Sequence, residues 1–334
     1  MVAISEISRT ISMSKIVTRF SDWIDDFVGS FRRGGNNMPS PFIPLYDGNF
    51  YICSFDLPSV IIGENQHEFK IIRAITDGAG GNGVLFLAQK WATNYFDRKE
   101  LAIKVSKRQD GVRIDRFRNE ARIMSQLDHE NIATYYDNGS IPVENERGEF
   151  NIPWIAMELG GCNLRRHVES NGKLPLDLLI KVGVQMCDAL SYFHRKDFIH
   201  RDIKPENFVW VKNSNEKIKM IDFGIAKKWG EDLSGRLFDN LTKVNEFVGS
   251  VFFLSPELIA YSRDDTKKYP VDYRSDIFQL GKVFWYLATT KISSGVPSKK
   301  DCPALWELVM NMIPDNPEDR IQSTEEVKKF LLSL

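Results

Sequence analysis

Four side chains in this 334-residue chain have the types and spacing to handle a phosphate and a cation together. Asp202, Lys204 and Asn207 lie close together in His200-Arg201-Asp202-Ile203-Lys204-Pro205-Glu206-Asn207, and Asp222 opens Asp222-Phe223-Gly224. Two carboxylates and an amide offer hard oxygen donors, while the lysine offers an ammonium to a phosphate oxygen. Mg²⁺ takes few such donors from a protein and shares the rest of its shell with phosphates. Phosphoryl transfer demands little covalent chemistry from a protein. It demands positioning and charge neutralisation. The set suits that reaction.

These groups need elements to hold them. Ile218-Lys219-Met220-Ile221 reads as an apolar strand that delivers Asp222. Far upstream, a strand-like stretch from Glu68 to Thr76 runs into Gly78-Ala79-Gly80-Gly81-Asn82-Gly83. Glycines let backbone amides approach a phosphate without a Cβ in the way. The same spacing opens dinucleotide-binding βαβ units. Here Val84-Leu85-Phe86-Leu87-Ala88 continues as strand, so the glycines cap a hairpin. Leu101-Ala102-Ile103-Lys104-Val105 is a third strand. Apolar residues at 114, 117, 121, 123, 124 and 127 give a helical face with Glu120 among them. Thr134-Tyr135-Tyr136 and Trp154-Ile155-Ala156-Met157 complete an antiparallel sheet, with polar Val143–Glu149 between them expected as a surface loop. Beyond Glu158-Leu159-Gly160-Gly161 the chain turns helical, with a long amphipathic segment from Leu176 to Arg195.

In this order the motifs resemble those of eukaryotic-type (Hanks-type) serine/threonine protein kinases, over roughly residues 64–334. The resemblance implies an α+β, two-lobed protein kinase fold: a small antiparallel-sheet lobe with one helix (64–158) over a larger helical lobe (162–334). ATP and Mg²⁺ are the implied cofactors. Asp202 would take the catalytic role at the attacking hydroxyl, with Lys204 bridging to the γ-phosphate, and Asn207 and Asp222 would hold the metal. Gly78, Ala79, Gly80, Gly81, Asn82 and Gly83 would cover the phosphates. Lys104 would contact the α- and β-phosphates and pair with Glu120, with Met124 packed beneath. Leu85 (where the family commonly has Val), Ala102, Met157, Glu158, Leu159 and Phe208 would surround the adenine, with the backbone after Met157 acting as hinge. His200 is expected as a buried structural histidine.

Ser255-Pro256-Glu257 resembles the end of the family's activation segment, with Ser replacing Ala, and implies a buried Glu257–Arg320 pair. Asp276 would brace the catalytic-loop backbone. Arg201 suggests control by phosphorylation at Ser234, Thr242 or Ser250, with Thr242 favoured and Ser250 read as a substrate-site hydroxyl. Only a short stretch separates Thr290 from Cys302, so the lower corner should be abbreviated relative to the family. The implied function is transfer of the ATP γ-phosphoryl group to Ser/Thr hydroxyls of proteins, with autophosphorylation. A pseudokinase scaffold would lack one of the phosphate or metal contacts. A small-molecule phosphotransferase would lack the long 225–257 segment with its matching arginine.

Composition bounds the partners. Hydrophobic residues at 43% and charged residues at 27% are ordinary for a globular protein. A net charge of −1 provides no global attraction to nucleic acid or anionic membrane. Cys53, Cys162, Cys187 and Cys302 lack CxxC spacing and read as free thiols in a cytoplasmic protein. Residues 1–35 are expected as an amphipathic helical extension, with Phe20, Trp23, Phe27 and Phe31 needing cover. That cover could be the chain's own kinase domain, a second copy in a homodimer or a regulatory partner, or less readily a membrane surface. Residues 36–63 read as a connecting elaboration holding short strands or ordered loop.

Overall fold

The computed structural model describes residues 42–47, 50–75, 83–92, 95–145, 148–229, 250–262, 270–292 and 296–334. The expected N-terminal helix, the Gly78–Asn82 stretch, Ser234 and Thr242 lie outside the described residues.

The small lobe begins with a hairpin, β1 (Phe42–Asp47) against β2 (Phe50–Asp56). A six-stranded antiparallel sheet follows, made of β3 (Val60–Ile62), β4 (Glu68–Ile75), β5 (Gly83–Ala92), β6 (Tyr95–Ser106), β7 (Tyr135–Asn145) and β8 (Gly148–Glu158), in the order β3-β4-β5-β6-β8-β7. Successive side chains of a strand point to opposite faces, and this divides β6 and β8 between two cores. Ile103, Val105, Trp154 and Ala156 face an outer core that the hairpin covers with Ile43, Leu45 and Phe55. Ala102, Ile155 and Met157 face the large lobe and join its core. Lys104 shares their parity.

One expectation changes here. Val143–Glu149 is mostly strand, not surface loop: Val143 pairs with Phe150, Glu144 with Glu149, and Asn145 with Gly148. Val143 and Phe150 pack on the outer core, so the ladder runs on despite its glutamates. Residues 42–62 form three strands and bury Ile43, Leu45, Phe55, Leu57 and Ile61. Packed small-lobe structure therefore begins upstream of residue 64.

Helix α1 (Gly111–Met124) crosses the sheet, its N-terminus capped by Asp110, whose side chain accepts from the Arg113 N–H at 3.1 Å. It buries Phe117, Glu120, Ala121 and Met124. After the short strand β9 (Gly160–Asn163), the large lobe is mainly helical: α2 (Leu164–Asn171), α3 (Leu176–His194), α4 (Pro256–Ser262), α5 (Arg274–Thr289), α6 (Pro303–Met312) and α7 (Thr324–Leu331). Helix α5 is buried along almost its whole length, as an element apolar on all sides must be. A Cβ on Gly281 would lie 2.9 Å from the Met312 Cβ, so α5 and α6 pack closely only because that position is glycine. Between Thr290 and Cys302 the described residues hold no helix.

Glu257 and Arg320 tie the start of α4 to the loop before α7. Their side chains are fully buried, joined by two bonds of 2.6 and 2.8 Å. Arg320 also donates to the carbonyls of Pro314, Arg274 and Asp315.

Candidate active site

Residues 200–207 sit between β10 (Phe198–Ile199) and β11 (Phe208–Val211), with a single 3-10 turn over Pro205–Asn207. Buried Asp276 on α5 fixes the loop's path by accepting from the His200 N–H at 2.9 Å and the Arg201 N–H at 2.7 Å. His194 Nε2 lies 2.8 Å from the same carboxylate. Gln279 adds a contact to the Ile203 N–H at 3.2 Å. Arg201 and Asp222 both adopt φ of 66°, a left-handed conformation that costs a non-glycine residue energy and persists only where the surroundings impose it. His200 is fully buried, its ring near Phe193 and Phe223, and burial pushes its pKa down. It is the structural histidine expected.

Within this frame the functional groups converge as two linked sets. Lys204 Nζ and Asn207 Nδ2 bond the same carboxylate oxygen of Asp202, at 2.7 and 3.1 Å. Asn207 Nδ2 also donates to the Asp202 carbonyl at 2.8 Å, which leaves its amide oxygen for other work. Across the cleft, Lys104 Nζ meets both carboxylate oxygens of Glu120 at 2.7 and 2.6 Å, and stands 3.8 Å from Asp222. Burial pulls Lys104 toward neutrality, but the Asp222 and Glu120 carboxylates outweigh it and raise its pKa. Burial likewise works against charged Lys204, and Asp202 chiefly overcomes it, so that its pKa also rises. Burial works against ionised Asp222 too, and Lys104 and Lys204 overcome it, so its pKa falls. Two ammonium groups and three carboxylates, Glu120, Asp202 and Asp222, therefore meet at one cleft.

The donor set fits Mg²⁺. Asp222 and the Asn207 amide offer two hard oxygens, as expected of a metal that completes its shell with phosphates and water. Among the described residues no cluster of three His, Cys, Asp or Glu could hold a metal by itself.

Of the residues expected around adenine, Leu85, Ala102 and Met157 share the face of the sheet that carries Lys104. Ala102 pairs with Met157 across β6 and β8, and Leu85 pairs with Lys104 across β5 and β6. Leu85 and Leu159 pack on the core shared with the large lobe. Glu158 places its N–H on the Thr134 carbonyl and its carboxylate on Thr134 and Lys219, which fixes the end of β8 where the hinge begins. Gly83 opens β5, opposite Ser106.

Phe208 is the correction. It is fully buried in the large-lobe core, together with Trp210. Strand alternation turns the next residue, Val209, toward the hinge instead, where a Cβ on Gly160 would come within 2.4 Å of Val209 Cγ2. Counting parity along β11 would have found Val209. Asn119 was also missed: its Nδ2 donates to the Ala226 carbonyl at 2.9 Å and ties α1 to the turn after Asp222. No local pattern around Asn119 signals that contact.

The description "Protein kinase domain" matches residues 71–334, most of the chain. The chain belongs to the protein kinase family. It is similar to a probable serine/threonine-protein kinase of Clostridium acetobutylicum, 30% identical over 286 residues, covering 78% of this chain and 39% of that protein. It is similar to serine/threonine-protein kinase PrkC of Bacillus subtilis, 34% identical over 238 residues, covering 70% of this chain and 32% of that one. Serine/threonine-protein kinase PknB of Mycobacterium tuberculosis is 30% identical over 238 residues, 65% of this chain and 35% of its own length. The chain thus spans well under half the length of these kinases. The two-lobed architecture, with its sheet-rich small lobe and helical large lobe, is that of the family.

Proposed function

We propose that this chain is a serine/threonine protein kinase, transferring the γ-phosphoryl group of ATP to aliphatic hydroxyls of proteins and able to autophosphorylate. The observation that carries the reading is the convergence of Lys104, Glu120 and Asp222 on one side of the cleft with Asp202, Lys204 and Asn207 on the other. In this reading Glu120 holds Lys104 aimed at the α- and β-phosphates. Asp202 receives the hydroxyl proton as the hydroxyl oxygen bonds to phosphorus and the bond to the leaving ADP oxygen breaks. Lys204 stays charged beside it and meets the γ-phosphate oxygens, where positioned charge is worth most in a low-dielectric cleft. Asn207 and Asp222 would hold Mg²⁺, which when bound neutralises phosphate charge. Leu85, Ala102, Met157, Leu159 and Val209 would enclose the adenine, with hinge backbone supplying its hydrogen bonds and the 78–83 glycine loop covering the phosphates.

Serine or threonine is favoured over tyrosine by Lys204, two positions after Asp202, and by the names of the relatives. The complete charge set weighs against a scaffold without catalysis. The buried Glu257–Arg320 pair closing the 225–257 segment weighs against a small-molecule phosphotransferase. A cytoplasmic setting accords with four cysteines of which none is in a disulfide. Incubation with γ-labelled ATP, Mg²⁺ and a generic basic protein, followed by phosphoamino-acid analysis, tests the assignment. Label on serine and threonine supports it; label confined to tyrosine, or no transfer to protein, overturns it.

A further inference from the structure

The family match begins at residue 71, yet β1 to β3 lie before it and, with the residue after β2, bury five apolar side chains on the small lobe. Their contacts point beyond added packing. Lys104 and Glu120 are joined through a short connection, Lys107-Arg108-Gln109, that links the end of β6 to Asp110, the cap of α1. Any change in that connection swings the start of the helix that carries Glu120.

Tyr46, near the end of β1, grips this connection on both sides. Its N–H donates to the Lys107 carbonyl at 2.9 Å, and its carbonyl accepts from the Gln109 N–H at 2.7 Å. The two bonds form a parallel bridge centred on Arg108. The Arg108 guanidinium lies over the Tyr46 ring, 5.0 Å from its centroid, and Arg108 is almost wholly buried. From the inside, Ser106 Oγ donates to the Arg108 carbonyl at 3.0 Å and accepts from the Arg108 N–H at 3.2 Å. Ile43 and Leu45, close to Tyr46 in β1, are buried in the outer core, which anchors the clamp to the sheet that carries Lys104. One rigid frame therefore holds the lysine strand, the connection and the first turn of α1.

We propose that the β1–β2 hairpin is a positioning element for catalysis, with Tyr46 as the positioning residue that clamps Lys107–Gln109 and so holds Glu120 on Lys104. The inference rests on the kinase reading and deepens it. Tyr46 acts through the helix, by way of its contacts to Lys107, Arg108 and Gln109. A cation–π contact over a largely buried guanidinium, lost with the ring, loosens the clamp by up to about tenfold in the equilibrium between held and displaced α1.

The test uses the full chain carrying Tyr46→Ala, with Tyr46→Phe as the conservative variant and Ile61→Val, on β3 outside the hairpin, as a control for packing of the shared outer core. Tyr46→Ala is expected to lower kcat about three- to tenfold with little change in the KM for ATP, because ground-state binding of the base is untouched. Tyr46→Phe, which keeps the ring and both backbone bonds, restores the rate. Ile61→Val lowers thermal stability and leaves kcat unchanged. In a Glu120→Gln background, Tyr46→Ala costs less than about twofold, because the pair it serves is already broken. An equal loss in both backgrounds, or an unchanged kcat in Tyr46→Ala, overturns the proposal. Hydrogen exchange over residues 107–124 gives a readout that does not depend on activity. Tyr46→Ala accelerates it and Ile61→Val does not; equal exchange in wild type and Tyr46→Ala also overturns the proposal. Should the wild type transfer no phosphate, the kinase reading fails while exchange still decides the clamp. Should Tyr46→Ala fail to fold, Arg108→Lys takes its place in every arm, since it removes the planar guanidinium from the ring and leaves the backbone bonds.

Discussion

Replacing Arg320 by alanine should destabilise the large lobe more than almost any other single change. The guanidinium contacts both oxygens of Glu257 at 2.6 and 2.8 Å and donates to three backbone carbonyls, at 2.8, 2.9 and 3.1 Å. Truncation leaves a buried carboxylate with only the Ser275 hydroxyl, at 2.7 Å, for a side-chain partner, and orphans the carbonyls. Breaking a buried pair from one side costs about 3–5 kcal/mol, against a whole-domain stability of about 5–15 kcal/mol. For a domain of this size that lowers the melting temperature by about 10 °C. Arg320→Lys keeps the charge but not the planar fork, and should fall between wild type and alanine. The pair also sets an acid limit. Burial alone would raise the Glu257 pKa, but Arg320 and Ser275 outweigh it and hold the carboxyl below its usual range. A depressed carboxyl contributes stability that is present above its unfolded pKa and is lost as pH falls through the folded value. Urea unfolding of wild type and Arg320→Ala at neutral and acid pH measures both effects. A loss below about 1 kcal/mol at neutral pH, where a severed buried ion pair should cost several, would refute the reasoning.

Two further outcomes follow from the cleft. In Gly160→Ala the new Cβ would meet Val209 Cγ2 at 2.4 Å, so the hinge must shift. Nucleotide titration should show about tenfold weaker ATP binding, about 1.4 kcal/mol, with partial recovery in Gly160→Ala/Val209→Ala. Unchanged affinity in the single variant would remove Val209 from the adenine site. Burial, with repulsion from Asp222 and against the pull of Lys104, pushes Glu120 up to about 7. A raised carboxyl favours folding while protonated, a contribution full below its unfolded pKa and lost as pH rises through about 7, whereas pairing with Lys104 needs the ionised form. Activity should therefore fall as pH drops through that range, and a pH–rate profile of Glu120→Gln should lose this limb.

The sequence was legible where chemistry is local and dense. Asp202, Lys204 and Asn207 lie in one loop, and their mutual bonds follow from a short span of backbone. Lys104 and Glu120 are 16 positions apart, and only the family resemblance linked them before the sheet and helix were in view. Side-chain parity was the weak point: Phe208 follows Asn207 directly, but β11 directs it into the core and leaves Val209 facing Gly160. The Val143–Glu149 stretch reads as polar loop because its ladder is stabilised by pairing across the hairpin, which composition does not register. The hairpin at 42–56 was obscure for a related reason. Its partners are Lys107–Gln109 and the outer core, distant in sequence, so nothing near Tyr46 signals them.

The central claim is that Asp202 and Asp222 carry phosphoryl transfer while the fold stands without them. Initial rates of γ-phosphoryl transfer to a basic protein at saturating Mg²⁺ and ATP, for wild type, Asp202→Asn and Asp222→Asn, test it most directly, with circular dichroism on each. Wild type should transfer phosphate, each variant should be slower by at least about a hundredfold, and folding should be unchanged. Undiminished transfer in either variant would contradict the claim.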